Sequence, residues 1–140
     1  MIDARTYLTQ KGIHVSLPRV AIMDFLLKHR IHPTADEIYL ALYPKMPTLS
    51  RTTVYNTLKL FAKHDAIQVI GIEEKNARYD ACTELHAHFL CTHCGTIFDI
   101  PVPEPVESLA DTNKYLEEFI IHRTYIYHKG ICPKCKTHEK

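Results

Sequence analysis

Four of the five cysteines fall in two Cys-x-x-Cys pairs, Cys91-Thr92-His93-Cys94-Gly95 and Cys132-Pro133-Lys134-Cys135, and no other feature constrains the fold as much. Each pair presents two thiolates on a tight turn, and four sulfurs satisfy tetrahedral zinc. Gly95 lets the backbone fold round the metal without a Cβ clash. A site closed by four thiolates leaves no position for water, so its expected work is structural, and metal binding supplies folding free energy. The other reading, a redox dithiol pair, is disfavoured because two such pairs in so short a chain point to a shared metal. The 37 residues between Cys94 and Cys132 exceed ribbon spacing, so a strand and a helix must be inserted between the knuckles. Cys82 stands outside both pairs and reads as a small, half-buried apolar residue.

With 140 residues and 46% hydrophobic content, the chain can bury one ordinary core or two small ones. Two small units would need help from a metal or a partner subunit. Thiols used as ligands fit a reducing compartment. The start of the chain, MIDARTYLTQKG, has no signal-peptide core, and no run approaches about 18 apolar residues, so a cytoplasmic, membrane-free address is expected. The net charge of +1 hides an asymmetry: residues 1–64 carry a net +5 and residues 65–140 a net −4. A basic front half and an acidic, metal-rich back half imply separate jobs.

The hydrophobic pattern predicts three helices in the front half. Ser16 caps the first, in which Val20, Ile22, Met23, Leu26 and Leu27 recur at helical spacing as far as His29. After His32-Pro33, Thr34 caps a second with Glu37 in capping-box position, followed by Ile38, Leu40, Ala41 and Leu42. Ser50 caps a third, with an apolar stripe of Val54, Tyr55, Leu58, Leu60 and Phe61. Residues 67–72 and 77–81, separated by the polar Glu73–Asn76 turn, read as a hairpin. Three helices and a hairpin in a basic segment suggest a winged helix-turn-helix. Beyond it, His88–Cys91, Thr96–Ile100 and Thr124–Ile131 read as strands and Val106–Phe119 as a helix after a proline-rich bend. The expected class is α+β, with a winged-helix DNA-binding domain over residues 1–80. A small α/β metal-binding dimerisation domain with a four-cysteine zinc site is expected over 81–140.

His86-Ala87-His88 places two imidazoles on one side of an extended segment. Asp80 lies before it and Asp99 eleven residues after His88, so the donors available are imidazole and carboxylate. Such a mixture suits Fe(II), Mn(II) or Zn(II), and its lack of thiolate sets it apart in purpose from the cysteine site. Of the other histidines, His14, His29, His64 and His138 read as surface or capping residues.

The strings HPTADEIYLAL, TTVYNTLKLF, RYDACTELHAHFLCTHCGTIFDI and ICPKC resemble the ferric-uptake-regulator (Fur) superfamily from residue 16 to residue 135. The resemblance implies a regulatory metal site for Fe(2+) or Mn(2+) at His32, Asp80, His86, His88 and Asp99, and structural Zn(2+) at Cys91, Cys94, Cys132 and Cys135. It also implies a homodimer that binds palindromic operators in double-stranded DNA when metallated. Many relatives carry a further site using His or Asp around the H-x-H string. Here Leu85 and Ala87 stand in those places and only His122 survives, so no complete third site is expected. Asp99, where iron regulators usually have Glu, and Asn56 are similar to the peroxide-sensing (PerR) branch. That branch implies a repressor released when iron-catalysed oxidation modifies His32 or His86.

The third helix is expected in the major groove, with Ser50, Arg51, Thr52, Tyr55 and Asn56 facing DNA. Arg19 resembles a family DNA contact. Other readings compete, zinc- and manganese-sensing branches of the same family among them. An iron-responsive repressor of iron uptake genes shares the fold. A zinc hydrolase would need a general base, for which only Glu84 is close, and leaves the basic helices unexplained. A zinc-ribbon interaction module explains the cysteines but not His32, Asp80 and Asp99.

Overall fold

The computed structural model describes residues 2–73, 75–102 and 113–137, in two compact units, Met1–Thr83 and Glu84–Lys140. In the first unit the helix starts lie where short polar side chains can satisfy orphan backbone N–H groups. Ser16 accepts from Arg19 N (3.4 Å) at the head of α2 (Leu17–Lys28), with α1 (Ala4–Gln10) before it. Thr34 accepts from Glu37 N (3.2 Å) to open α3 (Ala35–Leu42). Ser50 accepts from Thr53 N (3.1 Å) to open α4 (Arg51–Lys63). The helix α1 was not expected from the sequence. Asp3 caps it through Thr6 N at 2.8 Å, and Gly12, with φ 73°, ends it as Ile13 N returns to Leu8 O.

The core of this unit joins Leu8, Ile22, Met23, Leu26, Ile38, Val54, Leu58 and Phe61, all essentially inaccessible. Each such side chain contributes about 1.5–3 kcal/mol of hydrophobic free energy. Two residues assigned to the apolar stripes are instead outward: Leu40 is 61% and Tyr55 51% exposed. On α4 the buried row is Val54, Thr57, Leu58 and Phe61, spaced three and four apart, which turns Tyr55 to the opposite side.

The strands β1 (Gln68–Ile70) and β2 (Arg78–Asp80) form the expected antiparallel hairpin, shorter at each end, with Val69 opposite Tyr79. Arg78 anchors it: its Nε donates to Glu73 (2.8 Å), and its Nη1 to the His32 carbonyl (3.1 Å), with Glu37 at 3.5 Å. Tyr79 N donates to Pro33 O at 3.0 Å, so the hairpin is stitched to the loop between α2 and α3.

The second unit is a three-stranded sheet in the order β4-β3-β5, formed by β3 (Ala87–Cys91), β4 (Ile97–Ile100) and β5 (Tyr127–Gly130). The β3–β4 pair is antiparallel with His88 opposite Asp99, and β3–β5 is parallel with His88 beside Tyr127. A short helix, α5 (Pro133–Lys136), follows Cys132. The helix expected over Val106–Phe119 lies outside the described residues as far as 112. From 113 to 119 the chain makes one 3-10 turn, Lys114–Leu116, in place of a helix. Asn113 accounts for this, because its side chain accepts from Tyr115 N at 3.0 Å, a local bond that competes with helical pairing. Among the described residues no helix is long and apolar enough to cross a membrane.

Candidate metal centres

Among the described residues of the second unit, three thiols, Cys91, Cys132 and Cys135, form a buried cluster with Phe89, Phe98 and Ile131 packed round it. The sulfurs of Cys91, Cys94, Cys132 and Cys135 all lie within 4.8 Å of one another, and all five cysteines are free thiols. The first knuckle forms because Gly95 N bonds back to Cys91 O (2.8 Å) and Cys94 N points at Cys91 Sγ (3.4 Å). Gly95 is needed for its φ of 76°, not for room as the sequence reading held: a Cβ there would meet nothing within 4 Å. Cys132 N also points at Cys91 Sγ, at 3.4 Å, which draws the second knuckle onto the first.

These donors set the charges. The Cys94 N–H first, aided by that of Cys132, lowers the Cys91 thiol to about 6 against the opposing effect of burial. Thr96 holds Cys94 below the ordinary thiol range. Burial, reinforced by the neighbouring thiols, pushes Cys135 up to about 12. Four sulfurs within 4.8 Å of one another, one of them already poised as a thiolate, suit a divalent cation that would draw off the remaining protons, and zinc is the ion whose preferred donors and geometry match.

A second set of candidate ligands flanks β3 in the same unit. His86 Nε2 and His88 Nε2 lie 2.9 and 3.4 Å from the same oxygen, Asp99 Oδ1, and the two rings are 4.4 Å apart. His86 Nδ1 lies 2.7 Å from the Glu84 carbonyl, which can only accept, so Nδ1 donates to it and Nε2 is turned toward Asp99. An imidazole nitrogen and a carboxylate oxygen brought this close are the donor types that a divalent metal takes. The role of the Glu84 carbonyl had no signal in the sequence, where Glu84 figured only as a possible general base.

In the first unit, His32 and Asp80 are each only 4% exposed, with His32 Nε2 3.5 Å from Asp80 Oδ2. The other carboxylate oxygen, Oδ1, accepts from Cys82 N at 2.9 Å. His32 has φ 55°, a left-handed conformation rare outside glycine, and Arg78 fixes it by binding its carbonyl. Cys82 is half-buried, as read from the sequence, and His122 is exposed.

On α4, Ser50, Arg51, Thr52, Tyr55 and Asn56 are all exposed. Arg51 is not a loose charge: it pairs with Asp36 and lies 4.4 Å over the Tyr39 ring. Arg19 is half-buried, and its Nη1 donates to the His14 carbonyl at 2.8 Å. Neither Asp36 nor Tyr39 was singled out in the sequence, since a charged pair fifteen residues apart leaves no periodic trace.

Residues 10–127 match the sequence model of the ferric uptake regulator family. The peroxide-responsive repressor PerR of Staphylococcus epidermidis is 38% identical over 133 residues, covering 92% of this chain and 85% of the relative. Among solved structures, GAS PerR-Zn-Zn is similar with a TM-score of 0.52 and 29% identity, covering 99% of this chain and 90% of that one. The ferric uptake regulator of Pseudomonas aeruginosa, solved with manganese, has a TM-score of 0.75 over 94% of this chain and 99% of its own, a likeness of fold at 20% identity. The chain belongs to the ferric uptake regulator family.

Proposed function

We propose that this protein is a metal-dependent transcriptional repressor that binds palindromic operator DNA as a homodimer in the cytoplasm and lets go when peroxide oxidises it. The observation that carries the reading is the pair of imidazoles sharing one carboxylate oxygen at the edge of β3, in a chain 38% identical to a peroxide-responsive repressor. The protein acts by binding and is consumed as a sensor, not as a turnover enzyme.

In this reading residues 1–80 are the DNA-binding domain and 81–140 the metal-binding dimerisation domain. Cys91, Cys94, Cys132 and Cys135 hold structural zinc. His32 and Asp80 from the first unit and His86, His88 and Asp99 from the second hold one Fe(2+) or Mn(2+). When bound, that ion supplies the charge that lets three imidazoles and two carboxylates share one site and, as iron, the redox chemistry that peroxide requires. The chain's own residues do the rest. The Glu84 carbonyl keeps the His86 lone pair turned inward, Arg78 fixes His32, and Cys82 N occupies one Asp80 oxygen. Shared ligation by the two units would select one mutual orientation, and with it one spacing of the two α4 helices against DNA half-sites.

Ser50, Arg51, Thr52, Tyr55 and Asn56 would face the major groove, with Arg19 on the phosphates. Dimerisation is supported by Phe119, Ile120 and Ile121, which are 66%, 85% and 41% exposed in the second unit.

The test loads the protein with iron or manganese and adds peroxide. Peptides bearing His32 and His86 should gain oxygen only in the iron form, and operator binding should be lost in parallel. Intact histidines in iron-loaded, peroxide-treated protein would refute the reading.

A further inference from the structure

The strand pairing that presents His88 to the metal also places a tyrosine next to it. Tyr127 on β5 is the direct parallel partner of His88 on β3, and their ring centroids are 6.2 Å apart. Residues opposite each other on neighbouring strands share a face of the sheet. Tyr125 continues the row, its ring 5.9 Å from that of Tyr127. A phenol is electron-rich and more easily oxidised than an imidazole, and this one lies on the same face as the ligands His88 and Asp99.

We propose that Tyr127 is a further site of peroxide-dependent modification, its ring hydroxylated to a catechol when iron held by His86, His88 and Asp99 meets hydrogen peroxide. The inference rests on the proposed peroxide-sensing reading and adds a second product to it. The reaction balances as tyrosine plus hydrogen peroxide giving 3,4-dihydroxyphenylalanine plus water. One ring C–H bond and the peroxide O–O bond break, and a ring C–O bond forms. The ring is oxidised by two electrons and the peroxide reduced by two, with no other reductant required.

A useful contrast comes from Tyr115, which is 89% exposed against 37% for Tyr127. Oxidants arriving from bulk solvent would favour Tyr115, whereas oxidant generated at the ligands would favour Tyr127.

The experiment treats full-length iron-loaded protein with about one equivalent of peroxide, with a manganese-loaded control. It reads peptide masses and catechol-specific redox staining. The expected result is a catechol at Tyr127 at least about ten-fold above that at Tyr115, together with oxygen on His86, and neither in the manganese form. In Tyr127→Phe, the same peptide should gain one oxygen but lose the stain, because hydroxylated phenylalanine is tyrosine. Oxidised His86 with Tyr127 unmodified, or modified no more than Tyr115, overturns the inference while leaving the sensing reading intact. If neither His86 nor Tyr127 is oxidised, both fail.

Discussion

Zinc binding to the four thiols should be strongly proton-linked, and the local structure sets the slope. A bound zinc requires thiolates, so the change in log affinity per pH unit equals the number of protons released. The structure holds Cys91 at about 6 and Cys135 at about 12. At pH 7 metal-free Cys91 is therefore about ten parts thiolate to one thiol and releases about 0.1 proton, while Cys135 releases a whole one. At pH 5 Cys91 releases about 0.9 of a proton. These two residues alone give a slope of about 1.1 near pH 7 and about 1.9 near pH 5, and the other two thiols can only add to it. The sign is that affinity falls as pH falls, and falls more steeply below about 6.

The assay is competition with a chromophoric zinc chelator across this pH range, in a His86→Ala, His88→Ala background so that only the thiol site is read. A slope below one at neutrality would show that Cys135 is not protonated in the metal-free site. A slope that fails to steepen on the acid side would show that the N–H groups of Cys94 and Cys132 do not stabilise the Cys91 thiolate.

Three other substitutions probe separate parts of the molecule. Gly95→Ala forces a Cβ into a φ of 76°, costing about 1–2 kcal/mol, so zinc affinity by the same competition should fall about ten-fold. Asp99→Glu should cut peroxide-dependent oxidation of His86 by at least about ten-fold in peptide mapping. It should still allow manganese-dependent operator binding, and unchanged oxidation would count against Asp99 as the branch-defining ligand. Asp36→Asn removes an exposed pair and should shift thermal stability by less than about 1 kcal/mol. By releasing Arg51 it should also raise binding to random duplex and narrow the operator preference measured in gel shifts.

What the sequence disclosed and what it hid divide along physical lines. Ser16, Thr34 and Ser50 were legible as helix starts because capping is decided within four residues, and all three make the expected bond. The α1 helix escaped because seven residues with only Ala4 and Leu8 buried carry too little periodicity, although Asp3 and Gly12 bracket it. Tyr55 and Leu40 fell into the stripes because hydrophobicity does not record which side of a helix the core takes. The H-x-H spacing correctly put both imidazoles on one side, yet His86 precedes β3 and is oriented by a backbone carbonyl, which no residue type betrays. The left-handed turn at His32 was equally hidden, since it is held by Arg78, forty-six residues away.

The two candidate ligand sets of the second unit share one structural element, and this links them physically. The five-residue strand β3 carries His88 near its start and ends in Cys91, whose sulfur receives the N–H groups of both knuckles. His88 meets Asp99 through its pairing with β4, which the Cys91 N to Thr96 O bond extends across the knuckle turn. The pairing with β5 likewise ends beside the second knuckle, where Thr92 N donates to Gly130 O at 2.8 Å. Cys91, Cys132 and Cys135 form a buried cluster at this end of the sheet, so zinc held there should help to fix its register. A slip of one residue would turn His88 to the opposite face and carry it away from Asp99. The cysteine cluster should therefore steady the alignment that sets His88 opposite Asp99. His86 is the exception, because the Glu84 carbonyl orients it from a segment that precedes the strand.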